Sequence, residues 1–213
     1  MRFSPLDPRR TALVVIDMQN GFTLPGQPIY FDGAETIIPN INRLARAVRS
    51  SGGAVVWVKQ TFRDDEPRFA IPPWRSRFLP TMQRGLSATL ARGSFGYQLN
   101  ADLDVRPEDP QVDKTRWGAM MPNSSELHEV LKAAGIDTFI AVGCASDACV
   151  ETTVREAAML DYKTLFVMDA TATDSDETHN AAILTLNHLS IVDLVTTDDL
   201  VAELERAAVA PAG

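Results

Sequence analysis

The chain is poor in the residues that metal centres and disulfide frameworks require. Its 213 residues include only two cysteines and three histidines. Cys144 and Cys149 make no disulfide framework, and their Cys-x4-Cys spacing matches no familiar redox motif. Free thiols in a reducing cytoplasm are therefore expected. His128, His179 and His188 fall on helical stretches or their edges, and none has a partner at metal-ligand spacing. They read as surface or helix-packing residues, and no metal or other cofactor is expected. Positive charge is also in deficit: 20 Lys and Arg face 28 Asp and Glu, a net charge of −8. That balance argues against nucleic acid, whose phosphates need basic patches. No apolar run is long enough to span a bilayer, and Met1-Arg2-Phe3-Ser4-Pro5 lacks the apolar stretch of a secretion signal. No membrane partner is expected. The first strand–helix turn, Asp17-Met18-Gln19-Asn20-Gly21-Phe22, lacks G-x-G-x-x-G, which disfavours a nucleotide-dependent oxidoreductase.

What the chain does have is a regular alternation of strand-like and helix-like segments. Apolar runs predict strands near 11–16, 54–60, 111–114, 137–143, 163–169 and 190–195. Val55-Val56-Trp57-Val58 and Leu165-Phe166-Val167-Met168 are continuous, as strands covered on both faces should be. Ile37, Ile41, Leu44 and Val48 form a helical stripe that Gly52-Gly53 stops. A second stripe, Leu127, Val130, Leu131 and Ala134, has Asn123 or Ser124 as its expected cap and Gly135 as its stop. Another helix starts near Cys149, Thr173-Asp174-Ser175-Asp176 should cap the next, and Asp198-Asp199 begins the last. The alternation predicts an α/β fold, a doubly wound and mostly parallel six-stranded sheet flanked by helices, folded as one domain over 1–213. The tail from Ala207 to Gly213 is expected to fray.

One stretch breaks this rhythm. Residues 61–103 hold four prolines and Phe62, Phe69, Trp74, Phe78, Phe95 and Tyr97. A loop of this length in a compact domain reads as a lid or an oligomer contact, or else as a peripheral mini-core that staples the loop down. Arg63, Arg68, Arg75 and Arg77 could offer positive charge to an anionic substrate, although surface roles suit arginines equally.

Three chemically active residues stand at predicted strand ends. Cys149 follows the strand Thr138-Phe139-Ile140-Ala141-Val142 and precedes a helix, which places a thiol at a positive helix end that favours thiolate. A small buried apolar residue is the competing reading. Asp17 ends the run Thr11 to Ile16, and Lys114 ends Gln111-Val112-Asp113. Singly, Asp17 could cap a turn and Lys114 could be a solvated charge. In an open parallel sheet, however, strand ends converge on the functional crevice.

The blocks Val15-Ile16-Asp17-Met18-Gln19-Asn20-Gly21-Phe22, Lys114-Thr115-Arg116-Trp117-Gly118-Ala119 and Gly143 through Thr153 resemble, in order and spacing, the isochorismatase-like superfamily of cysteine hydrolases. The likeness covers roughly residues 10 to 205. It implies a triad of Asp17, Lys114 and Cys149 and a cis peptide between Cys144 and Ala145. The chain departs from the pattern after Lys114, where Gly118-Ala119-Met120-Met121-Pro122-Asn123 replaces a Ser-Ala-Phe stretch. It also lacks the histidines of the nicotinamidase metal cluster, since Gln60-Thr61-Phe62-Arg63-Asp64-Asp65-Glu66 stands there.

The resemblance implies hydrolysis of a small amide, carbamoyl or ureido C–N bond through a thioester. Asp17 would serve as general base, and the backbone N–H groups of Ala145 and Cys149 would form the oxyanion hole. The Lys114 cation and the helix end are expected to hold the thiol below the ~8.5 of a free cysteine. Phe22, Gln60 and Trp117 are the expected substrate contacts, and a homo-oligomer, dimer or tetramer, is expected. The alternatives are vinyl ether hydrolysis of the isochorismatase type, which does not require the cysteine, and a catalytically silent binding or scaffold member.

Overall fold

The computed structural model describes residues 1–62 and 88–209. Its strands are β1 (Thr11–Ile16), β2 (Ala54–Gln60), β3 (Gln111–Lys114), β4 (Thr138–Cys144), β5 (Lys163–Ala172) and β6 (Asp193–Val195). They form one sheet in the order β3-β2-β1-β4-β5-β6, with every neighbouring pair parallel. The expected sheet is thus present, and among the described residues it is wholly rather than mostly parallel. The helices are α1 (Asn20–Thr23), α2 (Ile38–Ser50), α3 (Leu127–Ala133), α4 (Glu151–Met159), α5 (Asp176–Leu189) and α6 (Thr197–Val209).

Strand alternation distributes the core over the two faces of the sheet. Leu13 and Val15 of β1 share one cluster with Ile41, Leu44 and Val48 of α2 and Leu200 and Leu204 of α6. Ala12, Val14 and Ile16 belong to the opposite cluster, with Leu127 and Leu131 of α3 and Val154 and Ala157 of α4. All six residues of β1 are buried, which is why its sequence shows no polar alternation. Each large aliphatic side chain taken out of water contributes roughly 1.5 to 3 kcal/mol, so the α2 stripe alone ties that helix firmly to the sheet.

Several boundaries differ from expectation. The N-cap position of α3 is Glu126, which makes no side-chain cap bond, rather than Asn123 or Ser124; Ser125 Oγ, one residue earlier, accepts from the Leu127 N–H at 3.0 Å. The Ser124 hydroxyl is engaged elsewhere, donating to the Gly118 carbonyl. Ser175 caps α5 by accepting from the Thr178 N–H. β5 runs three residues further than the pattern suggested, and β6 begins only at Asp193. α6 reaches Val209, so the first residues of the supposed frayed tail are helical.

Most of the long irregular stretch, including Arg63, Arg68, Arg75, Arg77, Phe69, Trp74 and Phe78, lies outside the described residues. Its described end is fastened to the segment that follows β1. Gln19 Nε2 donates to the Tyr97 carbonyl at 3.0 Å, and Asn20 Nδ2 donates to the Phe95 carbonyl at 3.0 Å. Asn100 Nδ2 donates to Thr23 Oγ1 at 2.9 Å.

Candidate active site

The sheet order reverses between β1 and β4, and in doubly wound folds the crevice opens beyond the carboxyl ends of the strands at that switch point. Asp17 is the first residue past β1 and has a positive φ of 57°. Lys114 is the last residue of β3. Beyond β4 the Cys144–Ala145 peptide is cis, and Ser146–Val150 forms one π-helical turn that runs into α4. Cys149 sits inside that turn.

Gly143 lets β4 approach β1 closely enough to bring these ends together. Its φ is +113°, and a Cβ there would lie 2.0 Å from the Ile16 carbonyl oxygen. Any side chain would push β4 away from the strand that carries Asp17.

The three expected residues meet at one buried ammonium. Lys114 Nζ lies 2.8 Å from Asp17 Oδ2 and donates to Cys149 Sγ at 3.3 Å. It also donates to Gln60 Oε1 at 2.7 Å and to the Arg116 carbonyl at 3.0 Å. Lys114 is fully buried, where an unpaired ammonium would be very costly. The Asp17 carboxylate is enclosed by the Lys114 ammonium, the Cys149 thiol and the Gln60 backbone, each of which favours its ionised form.

Burial dominates the electrostatics of the site. It pushes the Cys149 thiol up to about 12, with Lys114 pulling down and Asp17 pushing further up. The expected depressed thiol is therefore not what the structure holds. The Lys114 cation is at hand, but a buried sulfur beside a carboxylate loses more from lost hydration than the cation returns. Burial likewise raises the Asp17 carboxyl above its usual range against the pull of Lys114. It pulls Lys114 down, but Asp17 and Cys149 outweigh it and hold the ammonium above its ordinary value.

The other expected contacts lie as follows. Gln60 is buried with its side-chain amide engaged inside the protein: Oε1 accepts from Lys114, and Nε2 donates to the carbonyls of Thr61 and Lys114. The backbone of Gln60 is in turn clasped by Gln19, which accepts from its N–H at 2.7 Å and donates to its carbonyl at 3.0 Å. Phe22 is stacked on Phe31, ring centroids 5.5 Å apart, and packs in the core cluster on the α2 face, opposite the cluster that holds Cys149. Trp117 is about half exposed, one residue beyond the Arg116 carbonyl that receives Lys114. The Cys144 thiol is fully buried and donates to the Asp17 carbonyl at 3.3 Å.

Of the histidines, His128 pairs with the Tyr162 hydroxyl at 3.1 Å and His188 is exposed, as expected of packing and surface residues. His179 instead reaches the turn that carries Cys149, through Ser146. No local signal in the sequence marked it. Among the described residues no group of three or more His, Cys, Asp or Glu could hold a metal ion. No helix among them is long and apolar enough to cross a membrane.

The loop after Lys114, where the sequence departs from the family pattern, is fixed by α4. The Ala119 N–H donates to Thr153 Oγ1 at 3.2 Å, and the Met120 N–H donates to Glu156 Oε2 at 2.9 Å. Thr153 Oγ1 itself donates to the Cys149 carbonyl at 2.7 Å, so the loop and the turn that carries Cys149 share one anchor.

The sequence profile of the isochorismatase domain matches residues 11–199. The chain belongs to the isochorismatase family. This isochorismatase-family protein is 35 % identical over 181 residues to ureidoacrylate amidohydrolase RutB of Caulobacter segnis, covering 78 % of this chain and 74 % of that one. A cysteine hydrolase from Pseudomonas syringae pv. phaseolicola superposes with a TM-score of 0.84 at 24 % identity, over 95 % of this chain and 96 % of the other. An isochorismatase family protein from Burkholderia thailandensis gives a TM-score of 0.74 at 28 % identity, over 94 % and 97 %.

Proposed function

We propose that the protein is a cysteine amidohydrolase that cleaves a C–N bond of a small amide, carbamoyl or ureido compound through a thioester. The observation that carries this reading is the single buried ammonium in contact with both a carboxylate and a thiol, at 2.8 and 3.3 Å. The likeness to an enzyme named ureidoacrylate amidohydrolase supports the substrate class.

With a substrate carbonyl in place, the Cys149 proton moves to Asp17 as sulfur bonds to the carbonyl carbon. The negative charge passes to the carbonyl oxygen, towards which the backbone N–H groups of Ala145 and Cys149 are assigned as donors. Collapse breaks the C–N bond, and Asp17 returns the proton to the departing nitrogen. Water then gives a proton to Asp17 and attacks the thioester, the C–S bond breaks, and the proton goes back to sulfur. Lys114 keeps the carboxylate ionised enough to serve as base and balances the passing charge on sulfur. Gln60 acts in this scheme by holding Lys114 rather than by touching substrate.

Ammonia release over a panel of small primary amides, N-carbamoyl amino acids and ureides, with isochorismate included, tests the proposal. Turnover of an amide or ureide that Cys149→Ala abolishes and Cys144→Ala retains is the expected result. Cleavage of isochorismate that survives Cys149→Ala would instead assign vinyl ether hydrolysis, and silence across the panel would point to a binding role.

A further inference from the structure

The mechanism leaves one polar pair beside the site unused, a buried serine and a half-buried histidine. Ser146 opens the π-helical turn that carries Cys149, and its side chain is completely buried. Its hydroxyl lies 2.9 Å from Nδ1 of His179, which stands in the first turn of α5. The connection from β5 to α5 makes a second bond to the same turn, from Thr173 Oγ1 to Asp147 Oδ1 at 2.7 Å. Ser146 and Asp147 directly follow Ala145, the assigned oxyanion donor, and precede the nucleophile by less than one helical turn. A π turn is wider than an α turn, and such turns occur mostly as single insertions at functional sites. A turn of this kind needs partners outside its own backbone to hold one setting.

We propose that His179 is a positioning residue for the nucleophile: by fixing the buried Ser146 hydroxyl it sets the π turn so that Cys149 faces Asp17 and Lys114. This rests on the reading of Cys149 as the nucleophile. Either neutral tautomer supports the bond, with serine donating to a bare Nδ1 or accepting from a protonated one. The second shell of an active site decides whether a reacting atom is held to within fractions of an ångström, and His179 fills that role from a helix that carries no reacting group.

The test compares His179→Gln, His179→Asn and Ser146→Ala with the parent protein. Asparagine places a polar atom where Nδ1 stands, whereas the longer glutamine places it beyond. The probe is iodoacetamide at pH 8, with Cys149 and Cys144 read separately by peptide mass spectrometry. Loosening the turn lets the Cys149 thiol out of the burial that keeps it protonated. Its alkylation should therefore rise about tenfold in His179→Gln and Ser146→Ala, the gain in thiolate being partly offset by its lower nucleophilicity. Cys144, on the opposite face of the sheet, should stay at the parent rate, which separates a local opening from general destabilisation. His179→Asn should recover most of the parent behaviour, and the double variant should react no faster than either single one. On any compound the panel identifies, kcat should fall with KM little changed.

An unchanged or slower Cys149 reaction, equal acceleration of both cysteines, or an asparagine variant no better than the glutamine one would overturn the proposal. The alkylation arm needs no turnover. Hydrolysis that survives Cys149→Ala would therefore defeat the nucleophile reading while leaving the His179–Ser146 contact judged on its own result.

Discussion

Replacing Asp17 by asparagine should move two properties of Cys149 in opposite directions. The substitution is isosteric and removes one negative charge from a fully enclosed position. Asp17 Oδ2 and Cys149 Sγ lie 2.8 and 3.3 Å from the same Nζ, so no more than about 6 Å separates them. Two unit charges about 6 Å apart at an effective dielectric of about 20 repel by about 3 kcal/mol, roughly a hundredfold in the thiol's ionisation constant. Asp17 is among the groups that raise the Cys149 thiol, so its loss lets the thiol fall from about 12, and the thiolate pairs with Lys114. At a fixed pH on the protonated side the thiolate becomes about a hundredfold more abundant, its lower basicity gives back about tenfold in nucleophilicity, and alkylation speeds up about tenfold. Hydrolysis loses its general base and falls by about 10² to 10⁴.

The assay is iodoacetamide incorporation at Cys149 across pH 6 to 10, beside ammonia release. If Asp17 acted only as a structural cap, asparagine would leave both rates near the parent values. Faster alkylation with full turnover would show that another group takes the proton. Slower alkylation would mean that the carboxylate assists ionisation, contrary to the electrostatics of the site.

Lys114→Met leaves the Asp17 carboxyl buried without its cation and should cost about 3 to 5 kcal/mol in denaturant unfolding, largely recovered in the Asp17→Asn/Lys114→Met pair. The acid limb of kcat/KM should sit above the usual carboxylate range: Asp17 is raised by burial, and as pH falls through that value the base is protonated and activity is lost. Gly143→Ala, whose Cβ would meet the Ile16 carbonyl oxygen at 2.0 Å, should destabilise the fold by at least about 3 kcal/mol, read by thermal or denaturant unfolding. Prolonged chelation should leave turnover unchanged, because the proposed mechanism draws base, cation and nucleophile from Asp17, Lys114 and Cys149. A loss of activity that added zinc restored would refute that assignment.

The fold was legible because its signals are local. The uninterrupted apolar run of β1 and the Gly52-Gly53 stop after α2 each follow from a few neighbouring residues, and both are where the pattern placed them. The meeting of Asp17, Lys114 and Cys149 was legible for a different reason: strand ends in a parallel sheet share one edge whatever the loops between them do. What escaped depended on side-chain packing over distance. Both adjacent serine hydroxyls donate into the loop after Lys114, Ser124 to the Gly118 carbonyl and Ser125 to the Ala119 carbonyl, and only Ser125 also accepts from the Leu127 N–H; composition does not rank adjacent serines. The stacking of Phe22 on Phe31, within the cluster on the α2 face, is likewise a contact that only the folded chain supplies. His179 stands 33 positions from Ser146, and only the packing of α5 on the nucleophile turn joins them. The sign of the thiol shift escaped for the same reason. A helix end and a lysine are visible in the chain, whereas the degree of enclosure is a property of the assembled core.

That enclosure changes what activation means at this site. A thiol pushed up to about 12 holds almost no standing thiolate at neutral pH, so in the proposed mechanism the nucleophile is made during the reaction rather than kept in reserve. The arrangement fits such a scheme. In the proposed mechanism Asp17 takes the proton from the thiol beside it, the ammonium already touches both partners, and the negative charge is never left on sulfur alone because it passes to a carbonyl oxygen with its own donors. An ammonium suits the centre better than a guanidinium: it is compact, and its three N–H groups are shared among the carboxylate, the sulfur, the Gln60 amide and the Arg116 carbonyl. Lys114→Arg should therefore keep the charge but displace either the Asp17 or the Cys149 contact. Cys149 alkylation should then stay nearer the parent rate than hydrolysis does, because alkylation needs only the field of the cation whereas hydrolysis needs the whole geometry. Equal losses in the two reactions would show that the field, and not the placement of the ammonium, is what the site requires.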